Sequence, residues 1–441
     1  MQREDEVEKG QKLWKKAKEI IPWGTCLLSK TSEIFLPEKW PSYFEKAKGI
    51  KVWDLDGNEF FDFSIMGVGS CILGYNDKDV NKAVKEVIDK GNMCTLNSPE
   101  EVELARILLK MHKWAGMVRY ARTGGEAMAI AIRIARAYTG KDKIAFCGYH
   151  GWHDWYLSAN LSDDKNLDGH LLPGLKPAGV PRVLKSTVFP FTYNKIEQLE
   201  NIVKHEEIGA IVMEPMRNYW PENNFLKKVR DIATKIKAIL IFDEITSGFR
   251  MRVGGIHTLF NVEPDIVVYA KGISNGYPMG VIVGKKKIMK AAEKSFISST
   301  YWTERIGPAA AIATIKKMKE KNVPQHLIKI GKEIKEGWSE MSKEKGLKIK
   351  ITGIDPLATF KFDYGKDSQA IMTLFTQEML KKGYLAGKSV YVSYSHKEKD
   401  VKNYLKDVDE VFGKIKYAIE KKKVYNLLKT HVAQSGFKRL T

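Results

Sequence analysis

Short apolar runs alternate with amphipathic segments through the middle of the chain, from about residue 118 to residue 285. Unbroken apolar runs rich in Ile and Val are typical of strands that are covered on both faces. Helical patterns separate several of them, so this region is predicted to form a mainly parallel α/β sheet. The runs occupy residues 143–149, 208–215, 238–244, 265–270 and 280–284.

Two local signals precede this region. The segment 50–63 alternates between apolar and polar residues and carries Asp56-Gly57 at its centre, which predicts a β-hairpin. Further along, Ser98 can cap a helix and Glu101 can complete a capping box. These residues predict a helix that starts near residue 98 and runs to about residue 111.

The pattern changes again after Pro308, where helical segments, a few possible strands and a long helical tail follow. This arrangement predicts a second, smaller α+β domain. We therefore expect an N-terminal segment that contributes to the small domain (1–65), a large domain (66–310) and a C-terminal small domain (311–441).

The composition excludes several classes of protein. The 441 residues are 44% hydrophobic and 29% charged, which is enough for a large core and is unlike a disordered chain. The first residues are charged, and no run of about 18 apolar residues occurs, so neither a signal peptide nor a membrane span is predicted. The four cysteines are scattered without a CxxC pair, so no disulfide framework and no metal site are predicted. A cytoplasmic protein is expected.

The formal net charge is +20, which could indicate nucleic acid or acidic substrates as partners. The lysines, however, alternate with glutamates along helical segments such as KEIKEGWSEMSKEK, as is typical of solvated helix faces. No basic run is interleaved with aromatic residues. Nucleic-acid binding is therefore not predicted.

Two residues of opposite charge follow buried runs. Asp243 lies at the end of 238–244, and Lys271 comes directly after 265–270. Ligands of open α/β sheets bind at the carboxyl ends of the strands, so both side chains are expected at one edge. A plain ion pair is one interpretation. The other is pyridoxal phosphate (PLP) chemistry, in which a lysine of lowered pKa condenses with the aldehyde and a carboxylate keeps the pyridine nitrogen protonated.

A phosphate site is predicted before an alanine-rich helix. Thr123, Gly124 and Gly125 precede this helix, and the backbone N–H groups of a helix N-terminus bind anions. Taken alone, a Gly-Gly pair is often only a turn. Together with Lys271 and Asp243, it favours a site for the PLP phosphate.

The ring of such a cofactor needs flanking groups. Tyr149 ends the run 143–149 and is followed by His150, so an aromatic side chain is expected at the same edge. Tyr149 could stack on one face of the pyridine ring, and Ile245 could cover the other. The alternative is an ordinary aromatic residue at a strand end.

The order of these motifs resembles that of the class III aminotransferases of PLP fold type I, and it is similar to that of glutamate-1-semialdehyde 2,1-aminomutase. The resemblance runs through TGGEA, GYHGWHDW, MEP, FDEITSGFR and AKGISNGYPMG. It implies a large domain with a mainly parallel seven-stranded sheet and a smaller α+β domain. It also implies an enzyme that moves an amino group from a donor amino acid to a keto or aldehyde acceptor. An intramolecular aminomutase is the alternative.

The resemblance also implies roles for individual residues. Lys271 matches the Schiff-base lysine and Asp243 the partner of the pyridine nitrogen. The remaining cofactor contacts that it implies are Thr123, Gly124, Gly125, Tyr149, His150, Glu214, Ile245 and, at a shifted spacing, Asn218. A threonine of the partner subunit completes the phosphate site in such enzymes, so a homodimer is expected in which that residue is Thr303 or Thr300.

The substrate end departs from the aminomutase pattern. Lys30 stands where the aminomutases have an arginine that grips the substrate carboxylate, and lysine cannot form the same two-pronged contact. His153 and Tyr301 suggest a substrate pocket of a different kind. The alternative is that these rings pack in the core or in a dimer interface.

Overall fold

A computed structural model describes residues 8–436 of the chain. Its strands, in chain order, are β1 (Phe44–Lys48), β2 (Lys51–Asp54), β3 (Glu59–Phe63), β4 (Met117–Ala121), β5 (Lys143–Cys147), β6 (Val188–Pro190), β7 (Ile208–Met213), β8 (Ile239–Asp243), β9 (Ile266–Tyr269), β10 (Gly280–Gly284), β11 (Ile349–Thr352), β12 (Leu357–Phe362), β13 (Tyr384–Ala386) and β14 (Ser389–Tyr391).

The α-helices are α1 (Lys9–Ile20), α2 (Lys78–Asp89), α3 (Pro99–Met111), α4 (Gly124–Thr139), α5 (Asp154–Leu157), α6 (Ala159–Ser162), α7 (Ile196–His205), α8 (Phe225–Lys235), α9 (Lys286–Met289), α10 (Ile306–Glu320), α11 (Val323–Glu344), α12 (Ser368–Lys381), α13 (Glu398–Glu420) and α14 (Val424–Leu427). Single 3-10 turns at Leu28–Lys30, Lys271–Ser274 and Thr300–Thr303 carry predicted site residues.

The described chain forms two compact units. One consists of the residues up to Asp77 together with His326–Ser435, and the other of Lys78–Gln325. The first division falls after Asp77, 12 residues beyond the boundary predicted after residue 65. The second falls after Gln325, 15 residues beyond the boundary predicted after residue 310. The reason is that α10 packs against α2 and α3, which ties the chain beyond residue 310 to the larger unit. Residues 1–7 and 437–441 of the predicted domains lie outside the described residues.

The larger unit contains the seven-stranded sheet, in the order β4-β10-β9-β8-β7-β5-β6. Strands β6, β5, β7, β8 and β9 pair in parallel, whereas β10 is antiparallel to both β9 and β4. The predicted mainly parallel α/β sheet is confirmed. The apolar pattern missed the two edge strands, because β4 is only half-buried and β6 has three residues.

The smaller unit contains two sheets, β1-β2-β3-β13 and β11-β12-β14. The predicted hairpin is confirmed: β2 and β3 are antiparallel, and the Asp54 carboxylate accepts hydrogen bonds from the backbone N–H groups of Asp56 and Asn58. Large buried side chains, including Trp338, Phe360 and Tyr404, form the core beside these strands.

The helix predicted near residue 98 is α3, but its predicted capping box is wrong. Ser98 stands at the N-cap position without a side-chain cap hydrogen bond. A capping box forms instead at α4, where the Thr123 hydroxyl accepts from the Glu126 N–H and the Glu126 carboxylate accepts from the Thr123 N–H. Within residues 8–436, no helix has an apolar stretch long enough to cross a bilayer.

Candidate active site

The predicted site residues of the larger unit follow strands that end at the same edge of the sheet. Strands β5, β7, β8 and β9 are parallel neighbours, and β4 shares their direction because β10 is antiparallel to both β4 and β9. Their carboxyl ends therefore deliver Tyr149, Glu214, Asp243, Lys271 and Thr123 to one edge. This is the edge at which open α/β sheets bind their ligands.

Lys271 begins the 3-10 turn that follows β9, with a φ of 46°. A left-handed conformation is uncommon for a residue other than glycine and is often found at functional sites. The Lys271 ammonium nitrogen donates a hydrogen bond of 2.7 Å to the Thr246 hydroxyl. Burial, together with the positive charges of Arg217 and Arg250, lowers the pKa of Lys271 to about 7, against the opposite effects of Glu214 and Asp243. An amine of this kind is largely neutral just above neutral pH.

Asp243 ends β8 and is buried, with 2% of its surface exposed. One carboxylate oxygen lies 2.8 Å from His150 Nδ1, and the other accepts the backbone N–H of Ile245 at 3.0 Å. His150 is itself buried, and its Nε2 has no hydrogen-bond partner among the described residues. The histidine therefore orients the carboxylate from 93 residues away in sequence.

Glu214 follows β7 and contacts both the loop after the neighbouring strand β5 and a residue of its own loop. Its carboxylate accepts the backbone N–H of Tyr149 at 3.2 Å and pairs with Arg217 at 3.1 Å. The Tyr149 ring is half-buried, and burial and the charge of Asp243 raise the pKa of its hydroxyl. Tyr149 is therefore an uncharged aromatic group at physiological pH.

The N-terminus of α4 is closely packed. A Cβ atom on Gly124 would lie 2.9 Å from the Ile245 side chain, and one on Gly125 would lie 2.9 Å from the His153 ring. A side chain at either position would force its neighbour to shift, so the close approach favours glycine. Ile245 thus covers the start of α4, and His153 lies beside the predicted phosphate loop rather than apart from it. Burial lowers the pKa of His153, so its ring is predominantly neutral.

The remaining predicted residues lie elsewhere. Asn218 is exposed in the loop after β7, and the neighbouring Arg217 makes the contact with Glu214 instead. Thr300 and Thr303 are exposed in one 3-10 turn with Tyr301, which is 71% exposed. The Arg122 side chain holds this turn by donating to the backbone carbonyl groups at positions 302 and 304.

Lys30 belongs to the smaller unit, where it is an exposed residue at the end of the turn Leu28–Lys30.

The sequence analysis missed three residues that the structure places at the site. Thr246 contacts Lys271, Arg217 pairs with Glu214, and the buried Arg250 donates from Nε to the Thr246 carbonyl at 2.6 Å. Thr246 and Arg250 belong to the stretch FDEITSGFR, in which the sequence pattern predicts roles only for Asp243 and Ile245. Which of its other side chains turns towards Lys271 is set by the fold of the loop.

These residues fit PLP by their chemistry. The edge offers a lysine amine of lowered pKa, a buried carboxylate for the ring nitrogen and a half-buried aromatic ring. It also offers the N-terminus of α4, a helix of 16 residues, for the phosphate. The Thr123 hydroxyl caps that helix.

Comparison with known proteins agrees with this chemistry. The sequence pattern of the family described as Aminotransferase class-III matches residues 37–388. The chain is 30% identical over 427 residues to a 3-aminobutyryl-CoA aminotransferase of Cloacimonas acidaminovorans, covering 93% of this chain and 98% of that protein. It is 28% identical over 425 residues to a glutamate-1-semialdehyde 2,1-aminomutase of Archaeoglobus fulgidus, covering 92% and 99%.

Solved structures share the fold. The structure of the PLP internal aldimine form of the FumI protein from Sphingopyxis sp. MTA144 superimposes with a TM-score of 0.84 at 24% sequence identity, covering 98% of this chain and 99% of that one. The fold is therefore that of the PLP fold type I transaminases, as the motif order predicted.

Proposed function

We propose that Lys271 carries the reaction of this chain, which belongs to the class III aminotransferase family. The chain is a PLP-dependent enzyme that moves an amino group from a donor to a keto or aldehyde acceptor. The observation behind this proposal is the position of the Lys271 amine. Residue 271 as a whole is half-buried after β9, but its amine is buried, with a pKa lowered to about 7, at the edge that also holds Asp243. When bound, PLP supplies an aldehyde that condenses with amines and a ring that accepts electrons.

In this proposal Lys271 acts first as the covalent attachment point and then as a base. The neutral Lys271 amine would take up a proton from the substrate carbon that bears the amino group, and the resulting ammonium would return it to the cofactor carbon on the other side of that nitrogen. A pKa near 7 suits both directions, because the protonated and neutral forms are then of similar free energy at the working pH.

The other residues of the site would hold and orient the cofactor. We assign Asp243 to the ring nitrogen, because its carboxylate is buried and fixed by His150 and the Ile245 N–H. A fixed anion there keeps the nitrogen protonated. Tyr149 and Ile245 flank the ring, and the N–H groups at the start of α4 bind the phosphate. Glu214 is held by Arg217 and stands beside Tyr149.

The aminomutase alternative is supported by the 28% identity to the Archaeoglobus enzyme. Lys30 weighs against it, because a lysine replaces the arginine expected to bind the substrate carboxylate. The position of His153 beside Gly125 supports a role near the phosphate rather than in substrate binding. Tyr301 is too exposed within one chain to form a closed pocket by itself.

Transfer of labelled nitrogen distinguishes the two reactions. We expect the PLP-loaded enzyme to move ¹⁵N from a labelled donor to a second molecule, with mass spectrometry as the readout. The donors to compare are alanine, glutamate, 3-aminobutyrate and 3-aminobutyryl-CoA, each with pyruvate or 2-oxoglutarate. Conversion of glutamate-1-semialdehyde alone, with its label retained and without transfer to any acceptor, would contradict the aminotransferase assignment.

We also propose that the enzyme is a homodimer in which Thr303 or Thr300 contacts the phosphate bound to the partner subunit. Both hydroxyl-bearing residues are exposed within one chain, and the large apolar side chains of Phe296 and Tyr301 beside them are 87% and 71% exposed. Exposed apolar groups of this size favour burial against another surface. Sedimentation equilibrium should give twice the chain mass of 50.1 kDa, and a monomeric active enzyme would contradict the proposal.

A cytoplasmic location is proposed on the state of the cysteines. All four are free thiols, which suits a reducing compartment. Cell fractionation would test it, and recovery of the protein from an oxidising compartment would overturn it.

A further inference from the structure

We propose that Thr246 is a positioning residue for Lys271, whose hydroxyl holds the lysine amine in place whenever that amine is not bonded to the cofactor. The inference rests on the proposed function, which needs a free Lys271 amine during part of each cycle. It goes beyond that function because it assigns the group that receives this amine.

The geometry fixes Thr246 as a partner for Lys271. Thr246 is buried, with 3% of its surface exposed, and its Oγ1 accepts the hydrogen bond from Lys271 Nζ at 2.7 Å. Its carbonyl oxygen accepts from Nε of Arg250, a side chain that is itself 1% exposed. The Gly248 N–H donates to the Glu244 carbonyl at 2.9 Å across the same turn. The hydroxyl is therefore held by a turn that is anchored at several points.

A hydroxyl is suited to this position because it has both a proton and lone pairs. It accepts from the ammonium form of lysine and donates to the neutral amine, so Lys271 keeps a partner in both protonation states. A carboxylate in its place would favour the ammonium form and raise the pKa of the lysine. Thr246 thus holds the amine without cancelling the effect of burial.

The charges that face Lys271 act in opposite directions. Arg217 and Arg250 lower the pKa of the amine, Glu214 and Asp243 raise it, and burial makes the largest contribution. With the charges opposed in this way, a single hydrogen bond can decide how readily the buried amine takes up a proton. A hydrogen bond to the charged form is the stronger one, so the hydroxyl stabilises the ammonium more than the neutral amine.

Three variants of the full-length enzyme separate the hydroxyl from the shape of the side chain. Thr246→Val removes the hydroxyl at nearly constant volume, and Thr246→Ser keeps it. Thr314→Val is the matched control, because Thr314 is a fully buried threonine of α10 whose Oγ1 has no hydrogen-bond partner among the described residues. Each protein is loaded with pyridoxamine 5′-phosphate, which leaves the Lys271 amine free, or with PLP, which occupies it.

The first readout is acylation of Lys271 by acetic anhydride as a function of pH, measured by mass spectrometry of its peptide. In the pyridoxamine 5′-phosphate form, the midpoint of the wild-type enzyme should lie near 7. Thr246→Val should lower this midpoint by roughly one pH unit. Thr246→Ser and Thr314→Val should leave it unchanged.

The second readout uses enzyme from which the pyridoxamine 5′-phosphate has been removed. It is the rate at which Lys271 bonds to added PLP, followed by the rise of visible absorbance at a pH well above both midpoints. Thr246→Val should be slower by roughly tenfold, because the amine is no longer oriented. Thr246→Ser should recover most of the rate. A wild-type midpoint and rate in Thr246→Val, or a serine variant as impaired as the valine variant, would overturn the proposal.

Failure of the proposed function gives a different result. If Lys271 is not the residue that binds PLP, its acylation will be the same in the PLP and pyridoxamine 5′-phosphate forms of the wild-type enzyme. If it is that residue, PLP will protect it, and the variants then decide the role of Thr246.

Discussion

Replacing Lys271 by alanine is expected to reduce ¹⁵N transfer by at least about four orders of magnitude, equivalent to roughly 5 kcal/mol of transition-state stabilisation. The variant loses both the covalent attachment point and the base that moves the proton. The fold should persist, because removing a buried amine whose pKa is lowered also removes a desolvation cost. Turnover assays and thermal melting of the PLP-loaded protein check both expectations.

A matched lysine variant makes this result specific. Lys316 lies on α10 with 74% of its side chain exposed, and Lys316→Ala should keep the wild-type rate. A small added amine such as methylamine should restore part of the activity of Lys271→Ala, since it can replace the missing base. A Lys271→Ala enzyme with a near-normal rate would remove Lys271 from its proposed role.

Replacing Asp243 by asparagine should lower the turnover number by about three orders of magnitude, or roughly 4 kcal/mol. Asparagine has nearly the same shape and can still accept the Ile245 N–H, but it carries no charge to keep the ring nitrogen protonated. The electron-accepting capacity of the ring then falls while PLP binding persists. Steady-state kinetics and the visible spectrum of the bound cofactor measure the two effects separately.

The adjacent carboxylate provides the control. Glu244 is fully buried and accepts hydrogen bonds from the Ile256 N–H and from both the backbone and Nδ1 of His257. Its contacts fasten a loop, so Glu244→Gln should lower the melting temperature and leave the turnover number within about threefold of wild type. If Glu244→Gln is as slow as Asp243→Asn, the effect at Asp243 is structural and its assignment fails.

Local patterns predicted the parts of the site that depend on strand direction. A buried apolar run followed by Asp243, and another followed by Lys271, places both residues at one edge once the strands are parallel. The same reasoning located Tyr149, whereas the start of α4 followed from the glycines before an alanine-rich helix, and Glu214 was assigned only through the family resemblance. The capping box at residue 98 failed, because a capping sequence does not ensure that the hydroxyl turns towards the helix.

Contacts between side chains that are distant in sequence could not be predicted in this way. His150 reaches Asp243 across 93 positions, and Lys271 reaches Thr246 across 25. Each contact depends on the conformation of a turn after a strand and on the neighbouring packing. Arg217 and Glu214 pair within one short stretch of the sequence. Their charges affect the pKa of Lys271 only because β7 and β9 lie in one sheet.

The sequence by itself determined the α/β class, the identity of the lysine and carboxylate at the sheet edge and the glycines before α4, because these follow from periodicity and residue type. The tertiary structure alone decided the environment of those groups. It lowered the pKa of Lys271 through burial, gave that amine a hydroxyl partner, fixed Asp243 with a histidine and placed the unit boundaries where α10 packs against α2. Burial and hydrogen-bond direction arise only when distant segments meet, so no local pattern contains them.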